Sequence, residues 1–458
     1  MNSLLLSLLL PLATGLLAFL TRRVRLIGAL LAVACGVICL VLTAGAPLTQ
    51  ATSLTADLGL DLSPVARLVL LGLWLMLVLF GLLELAQPGR SFVIPAVLGA
   101  TGLAGAALVV EPLSIAVLAL QLAAMLMVFP ALQGPARRPW GSLGYLSITV
   151  LAGAGAQMGL WLAEFYTQNP EPDNARTAAM LFALVAALTL ALAPLHSWLP
   201  RLADAAPYQV TAWAGMVGQL AIVGVFVRLL AAYDWLLTVT PLIYVFILGG
   251  LLSMTLAGAF ALAASTPRYW FAYAMTYTAG LAAVGLGLFS LQGIEGAALA
   301  LFSRVVAIIV AAAGFRAVPQ LSIAWDDLRG LASHRLPAAI ALACAGSIFA
   351  GIPPFVGFPA TWLVYRAAYT AAPQLALLMV PGTALLGLSV VRLLTLLFQP
   401  TPEAEALKPP PRKAPPPLSR RLSLYILVLV ALAVGMGLAP QTVLTPIQTA
   451  LATLRFLP

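Results

Sequence analysis

Long apolar stretches recur along the whole chain, and short polar or charged segments separate them. A helix needs about 20 apolar residues to cross a bilayer. Backbone groups in lipid must be hydrogen-bonded within their own segment, which favours helices over strands. The pattern predicts about fourteen spanning helices, near residues 3–20, 26–44, 64–86, 93–110, 112–132, 141–163, 178–196, 207–232, 239–264, 269–290, 294–316, 336–370 (interrupted), 373–399 and 422–439.

The composition agrees with a membrane protein. Apolar residues make up 62% of the 458 positions and charged residues 8%, whereas a soluble domain carries about 25% charged residues. Such a chain cannot cover itself with a surface compatible with water, so the predicted fold class is an all-α integral membrane protein surrounded by the lipid bilayer. The net charge of +9 does not indicate a nucleic-acid partner, because the basic residues are scattered through short loops.

The basic residues fall mainly in alternate loops, which assigns the two sides of the membrane. Cytoplasmic loops are enriched in Lys and Arg, so the richer side is predicted to face the cytoplasm, and both termini then lie on the outer side of a bacterial cytoplasmic membrane. The first stretch has no basic residue before it, so we expect a retained helix rather than a cleaved signal peptide. The richer side carries Arg22, Arg23, Arg25, Arg90, Arg137, Arg138, Arg201, Arg268, Arg316, Arg329, Arg335, Lys408, Arg412, Lys413, Arg420 and Arg421, and the poorer side carries Arg67, Arg176, Arg228 and Arg366 with Glu171 and Asp173.

Two of the apolar stretches are interrupted by proline. The first contains Pro194 and Pro200, and the second contains Pro353, Pro354 and Gly357. Proline inside a membrane helix frees carbonyls that must find other partners, and interrupted helices at corresponding places of two halves are typical of a transporter's ion path. The two breaks lie five spans apart, an odd offset that predicts an inverted second copy. Two unrelated kinks are the alternative.

The end of the chain contains two further segments. Residues 400–421 are polar and rich in proline, which predicts an extended cytoplasmic linker. The tail at 441–458 fits either a helix along the membrane interface or a helix packed on the bundle. Its apolar residues at helical spacing are Leu444, Ile447, Leu451 and Leu454.

Around the first break the chain resembles a known family. The residues PLHSWLP at 194–200, AP at 206–207 and VTA at 210–212 are similar to the signature P-F-H-x-W-L-P-D-A-x-x-x-A-P-T-x-V-S-A of the antiporter-like subunits of respiratory complex I. Membrane-bound hydrogenases and multisubunit cation/proton antiporters contain related subunits. The second break, at 351–358, resembles that family's G-I-P-P-x-x-G-F, and residues 268–284 resemble its R-x-x-A-Y-S-S-I-S-x-x-G.

The resemblance implies a fold of fourteen spans in which the fourth to eighth and the ninth to thirteenth form two inverted five-helix repeats. The implied division is N-terminal helices at 1–92, a first repeat at 93–232, a second repeat at 233–399, the linker at 400–421, and a last helix with its tail at 422–458. In such a subunit each repeat holds a half-channel of ionisable residues at mid-membrane depth. A proton relay needs groups that gain and lose charge.

The chain departs from this family at the ionisable positions. By the resemblance, Gln121 stands where the family has Glu, and Thr189, Gln219 and Thr361 stand where it has Lys. Gln and Thr form hydrogen bonds but do not titrate. Arg304 stands at a further Lys position, and an arginine does not release its proton at accessible pH. The proton relay that the family implies is therefore predicted to be broken.

Other residues in the spans have simpler interpretations. His196 fits a role in the polar axis or a structural hydrogen bond to the broken helix. We expect Arg392 to snorkel toward the cytoplasmic surface and Glu84 to be solvated there. Asp326 and Asp327 have an adequate contact in the neighbouring Arg329, and we expect packing or interface positions for Trp198, Trp213 and Trp270.

The sequence gives no sign of a catalytic site. Cys35, Cys39 and Cys344 lie inside apolar stretches, and although the first two share a helix face, no further ligand stands near, so we interpret them as buried thiols. A phosphate-binding Gly loop and paired carboxylates are also missing. We therefore expect no cofactor in this chain, and any flavin, iron–sulfur cluster or quinone would bind to other membrane-complex subunits.

Two functions remain open at this point. The first is a membrane-arm subunit of a complex I-like or hydrogenase-type assembly, of the kind found in NADH-quinone oxidoreductases. Such a subunit would keep the fold but be weakened or silent in proton translocation. The second is an active proton or cation/proton translocating subunit that uses other residues, among them His196 and Arg304. An unrelated secondary transporter with a chance motif is a third interpretation.

Overall fold

The computed structural model describes residues 3–48, 52–53, 58–87, 92–134, 140–238, 240–318, 324–400 and 418–454, which are mostly helical. The linker predicted at 400–421 lies largely outside the described residues. Outside them as well are the basic residues Arg90, Arg137, Arg138, Lys408, Arg412 and Lys413 of the sidedness argument.

The helices follow the apolar stretches in order. Up to the first break they are α1 (Ser3–Leu20), α2 (Arg25–Ala44), α3 (Pro64–Ala86), α4 (Val93–Ala107), α5 (Leu113–Ala131), α6 (Trp140–Gln168) and α7 (Pro172–Thr189). Next come α8 (Trp198–Ala205), α9 (Tyr208–Trp213) and α10 (Gln219–Ala232), the last two joined by a π-helical turn at Ala214–Gly218. The remainder are α11 (Thr240–Leu262), α12 (Pro267–Gly287), α13 (Leu291–Ala317), α14 (Leu331–His334), α15 (Leu336–Phe349), α16 (Gly357–Ala371), α17 (Pro373–Phe398), α18 (Arg420–Leu438) and α19 (Gln441–Leu451).

Ten helical stretches of the described residues are long and apolar enough to cross a membrane. They are α1, α2, α3, α5, α6, the stretch Tyr208–Ala232, the part Leu242–Leu262 of α11, α13, α17 and α18. The helices α4 and α15 are apolar but shorter. This arrangement confirms the predicted class of a helical integral membrane protein.

The fourth predicted span was placed too long. α4 ends at Ala107, and Val110–Glu111 instead forms β3, which pairs antiparallel with β2 (Gly59–Leu60), itself paired with β1 (Thr52–Ser53). The guanidinium of Arg228 on α10 donates to the main-chain carbonyls of Ala107 and Val110. It also lies 2.6 Å from the carboxylate of Glu111 in β3. The predicted span ended at Val110, whose hydrophobicity alone does not separate a strand residue from the end of a helix.

The centre of the bundle is α13. In its most apolar 18 residues, 89% of the positions are buried, the largest share among the ten helical stretches named above. α12, α15 and α16 pack around it. Beside it α11 and α12 cross at Gly250 and Gly280, where a Cβ on either glycine would lie 2.7 Å from the carbonyl oxygen of the other. Small residues allow membrane helices to approach this closely.

The C-terminal helices close the bundle. α18 packs on α15, α13 and α3, and α19 packs on α13 and α3. The apolar side chains Leu444, Ile447 and Leu451 of α19 are buried. Of the two interpretations of the tail, packing on the bundle is therefore correct.

The expectation that Glu84 is solvated is wrong. Glu84 is only 6% exposed; its carboxylate accepts a hydrogen bond of 3.2 Å from Nε2 of Gln209 and lies 3.9 Å from the guanidinium of Arg316. Its position at a helix end suggested solvent, but α9 and α13 cover that end. The buried carboxylate links α3 to α9 and α13.

The other polar residues singled out in the sequence also have defined contacts. Arg392 donates to the carbonyl of Leu262 at 2.7 Å and lies over the ring of Trp325, so it caps α11 instead of only reaching toward solvent. The contact of Asp326 with Arg329, at 3.7 Å, is confirmed.

The tryptophans and cysteines occupy packing positions. Trp198, Trp213 and Trp270 are buried, and each indole donates a hydrogen bond within the bundle. The three cysteines are free and buried, with the sulfur atoms of Cys35 and Cys39 3.9 Å apart. The interpretation as buried thiols is confirmed.

Candidate functional site

The first helix break begins after Thr189. The amide of Leu192 donates to the carbonyl of Ala187, and Ala191 has a φ of 56°, in the left-handed region. This is the pattern of a Schellman motif, which ends a helix by satisfying its last carbonyls. A 3₁₀ turn at Leu195–Ser197 follows and leads into α8.

The second break repeats this backbone pattern. α15 ends at Phe349, the amide of Ile352 donates to the carbonyl of Ser347, and Gly351 has a φ of 66°. Each of these positions lies 160 residues after its counterpart in the first break; Gly351, for example, corresponds to Ala191. The same offset relates Pro194 to Pro354.

Neighbouring elements satisfy the backbone groups that the first break frees. The hydroxyl of Ser253 on α11 accepts a hydrogen bond of 2.7 Å from the amide of Ala193. The indole of Trp198 donates to the carbonyl of Leu188 at 2.8 Å. A broken helix is stable in a membrane only when such partners exist.

Three of the residues singled out by the resemblance converge beside this break. Gln121 on α5, Thr189 at the end of α7 and Gln219 at the start of α10 all line one cavity of about 140 Å³. Nε2 of Gln219 donates to the carbonyl of Thr189 at 3.2 Å. The π-helical turn before Gln219 places its side chain toward the break, and such turns occur often at functional sites.

The electrostatics of this cavity are simple. Among the residues that the structure describes, those that line it include no acidic, basic or imidazole side chain. Gln219 is 1% exposed, and its Oε1 has no hydrogen-bond partner among the described residues. Amides and hydroxyls can orient water or a ligand, but they cannot take up or release a proton near neutral pH.

His196 and Arg304 lie away from this cavity. The imidazole of His196 stacks on Phe260 of α11 at 5.9 Å and lies 6.4 Å from the ring of Tyr273 on α12, so it faces the second half of the chain. Its Nδ1 is buried without a hydrogen bond among the described residues.

Arg304 stands at the middle of α13. It is 1% exposed, and its three guanidinium nitrogens have no hydrogen-bond partner among the described residues. A Cβ built on Gly215, in the π-helical turn, would lie 3.7 Å from its Nη2. This places the Arg304 guanidinium between α13 and the π-helical turn.

The remaining candidate positions belong to the breaks themselves. Thr361 donates to the carbonyl of Gly357 at 3.0 Å, and its hydroxyl lies against Gly351. Pro353 and Pro354 lie in the second break, whereas Pro200 lies in the first turn of α8, where a proline interrupts no hydrogen bond. The resemblance therefore identified one group of converging residues and several separate ones.

A cluster of hydroxyl groups in the second half was missed in the sequence. The hydroxyl of Thr383 on α17 lies 2.8 Å from that of Tyr277 on α12 and 2.6 Å from that of Tyr365 on α16. Tyr365 follows the candidate residue Thr361 by one helical turn, and this spacing was the sequence feature that could have indicated the cluster. Neutral tyrosines and threonines in apolar helices do not attract attention, and only the packing of three helices brings these together.

Comparison with known proteins gives the family. The family described as NADH:quinone oxidoreductase/Mrp antiporter, TM, matches residues 140–387, just over half of the chain. A curated relative is NADH-quinone oxidoreductase subunit N of Beijerinckia indica subsp. indica, which is 30% identical over 192 residues, 40% of this chain and 39% of the relative. The first curated relatives are matched over about 39% to 63% of their own lengths.

Solved structures share the fold over nearly the whole chain. The membrane-bound sulfane sulfur reductase, an archaeal respiratory membrane complex, contains a chain with a TM-score of 0.85 at 15% identity, covering 100% of this chain and 98% of that one. Respiratory complex I from Thermus thermophilus contains a chain with a TM-score of 0.80 at 21% identity, covering 99% and 100%. These structures show the fold, and the family match over residues 140–387 shows that the chain belongs to the NADH:quinone oxidoreductase/Mrp antiporter transmembrane family.

Proposed function

We propose that this chain is an antiporter-like membrane-arm subunit of a complex I-like or hydrogenase-type assembly and that it does not relay protons itself. The observation that carries the proposal is the cavity beside the first break. Gln121, Thr189 and Gln219 meet there, at the positions where the resemblance implies ionisable residues, and all three are neutral. The chain keeps the shape of a half-channel without groups that exchange protons.

The proposed architecture has fourteen spans with two inverted five-helix repeats. The first repeat would comprise 93–232 and the second 233–399, after the N-terminal helices at 1–92 and before the linker and last helix. The identical backbone hydrogen bonds of the two breaks, 160 residues apart, support an internal duplication. The excess of basic residues in alternate loops supports an orientation with both termini on the outer side.

The proposed partners are other membrane subunits, which would also hold any redox cofactors. The relatives that are named subunits of NADH-quinone oxidoreductase support this assignment. So do the similar folds found in the Mrp complex and in respiratory complex I. In such an assembly the chain would serve as a scaffold between neighbouring subunits.

Active translocation through other residues is the second candidate. It is favoured by two buried groups without partners among the described residues, Nδ1 of His196 and the guanidinium of Arg304. Ionisable groups inside a membrane often mark an ion pathway. Under this alternative, substituting either residue would abolish the chain's share of proton movement.

The deciding experiment is proton pumping by the native assembly after reconstitution into vesicles. Protons per turnover would be compared among the wild type, an assembly lacking this chain, and the variants Gln121→Glu and Gln219→Lys, singly and together. A scaffold predicts the same yield per turnover in the wild type, Arg304→Met and His196→Gln, as long as the neighbouring subunits stay in the assembly. A lower yield without the chain, together with a loss in Arg304→Met or His196→Gln, would establish active translocation instead.

A further inference from the structure

The cavity among α5, α6, α7 and α10 is elongated. On α6 its lining runs from Tyr145 to Leu160, about 22 Å along the helix axis. The described residues enclose it only partly. The space exists because the facing positions are small: Ala123, Ala124, Ala152, Gly153, Ala156, Ala186, Ala214 and Gly218.

Most polar side chains of this lining already have partners inside the protein. The hydroxyls of Thr149 and Thr189 donate to carbonyls one turn earlier in their own helices, at 2.8 and 2.7 Å. The indole N–H groups of Trp198 and Trp213 also have acceptors, at 2.8 and 3.1 Å. A buried water needs two to four polar partners, and the remainder of the lining is apolar apart from the hydroxyl of Tyr145 and the amides of Gln121 and Gln219.

Oε1 of Gln219 is a buried acceptor in the lining without a hydrogen-bond partner among the described residues. Only the NH2 group of an amide can donate to a carbonyl, so the contact of Gln219 with Thr189 fixes Nε2 and leaves Oε1 as the free end. Oε1 is buried, and Gln219 lines the cavity. The amide of Gln121 lies beside Gly153. A Cβ added at Gly153 would lie 2.5 Å from this amide.

We infer that this cavity binds a lipid-soluble molecule with an elongated apolar body and one hydrogen-bond donor that meets Oε1 of Gln219. A dry apolar cavity of similar size takes up apolar molecules. Ligand pockets are typically apolar with a few polar groups that orient the ligand. The bilayer is the source of the molecule, which fills the first half of the subunit and keeps water out of it.

The test is photolabelling of the full chain in lipid nanodiscs with a diazirine-bearing long-chain alcohol. Labelled positions are mapped by mass spectrometry. Lining and lipid-facing residues occur on the same helix, so each helix provides an internal comparison. Labelling of Ala123 is compared with labelling of Leu122 on α5, and labelling of Ala186 with that of Leu184 on α7. We expect label on the lining residues as well as on the lipid-facing ones. Label on the lipid-facing residues alone overturns the inference.

A matched pair of variants tests the location. Ala156→Phe fills the cavity, whereas Ala154→Phe adds the same ring two residues away on the exposed face of α6. We expect labelling of Ala123 and Ala186 to be lost in the first variant and kept in the second. Labelling that persists in Ala156→Phe overturns the inference. If that variant does not fold, the labelling pattern of the wild type alone decides the inference, as described above.

A second probe tests the hydrogen bond. The matched methyl ether of the alcohol has the same length but no donor. We expect the alcohol to label the lining about two- to tenfold more than the ether, the range that one net hydrogen bond gives. Equal labelling excludes the role of Gln219. All measurements are made without redox turnover, so their failure is separate from failure of the proposed scaffold function.

Discussion

The side-chain amide of Gln219 donates a hydrogen bond of 3.2 Å to the main-chain carbonyl of Thr189, across the first helix break. One residue thereby ties the start of α10 to the end of α7. It satisfies a carbonyl that the break would otherwise leave unpaired in an apolar setting. The position where the resemblance implies a proton-carrying lysine thus has a structural role in this chain.

Removing this hydrogen bond should destabilise the bundle. Gln219→Leu leaves the Thr189 carbonyl unpaired, and we expect a loss of about 0.5–2 kcal/mol. The measurement is the thermal unfolding midpoint of the purified chain in one detergent. Gln374→Leu, on the exposed first turn of α17, is the control and should leave the midpoint unchanged. Equal midpoints for both variants would show that the contact does not contribute.

The second break should be sensitive at Gly351. An added Cβ would lie 2.5 Å from the Thr361 hydroxyl. In addition, the φ of 66° disfavours a residue with a side chain by about 1–2 kcal/mol. We expect Gly351→Ala to lower the unfolding midpoint. Gly387→Ala on α17, where a Cβ meets nothing within 4 Å, should be neutral or slightly stabilising. A tolerated Gly351→Ala would show that the break can rearrange.

The buried carboxylate of Glu84 predicts coupling between two substitutions. Arg316→Met removes the guanidinium that lies 3.9 Å from the Glu84 carboxylate, and breaking a buried pair from one side costs about 3–5 kcal/mol. We expect the double variant Glu84→Gln with Arg316→Met to be more stable than Arg316→Met alone. A double-mutant cycle on unfolding midpoints measures this, and additive effects would mean that the two groups do not interact.

The hydroxyl cluster predicts a specific loss at Thr383. Thr383→Val keeps the shape but removes the partner of both Tyr277 and Tyr365, with an expected cost of about 1–2 kcal/mol. Thr370→Val is the control, because its hydroxyl is exposed and contacts only the preceding turn of its own helix. Unfolding midpoints of the two variants give the comparison.

Arg304 provides a test of the missing relay. Arg304→Lys introduces a group that can titrate, but the cavity residues Gln121 and Gln219 remain neutral. We therefore expect unchanged protons per turnover in the reconstituted assembly for this single substitution. An altered yield would show that Arg304 already lies on a working path.

The sequence by itself determined the class of fold. Stretches of about 20 apolar residues have few stable conformations in lipid other than helices, and most bounds agree with the structure to within a few residues. Pro194 and Pro354 located both breaks, because a proline lacks the N–H group that would continue the helix. The predicted end of the fourth span is three residues later than Ala107, because hydrophobicity alone does not separate Val110, in a two-residue strand, from the end of a helix.

Only the tertiary structure decided which polar residues meet. Gln121, Thr189 and Gln219 lie on three different helices, and their convergence depends on how those helices pack. Glu84 is buried because helices distant in sequence cover the end of α3, and Thr383 meets two tyrosines from two other helices. Local sequence specifies where a helix begins and ends, whereas burial and pairing of a polar group depend on neighbours contributed by the rest of the chain.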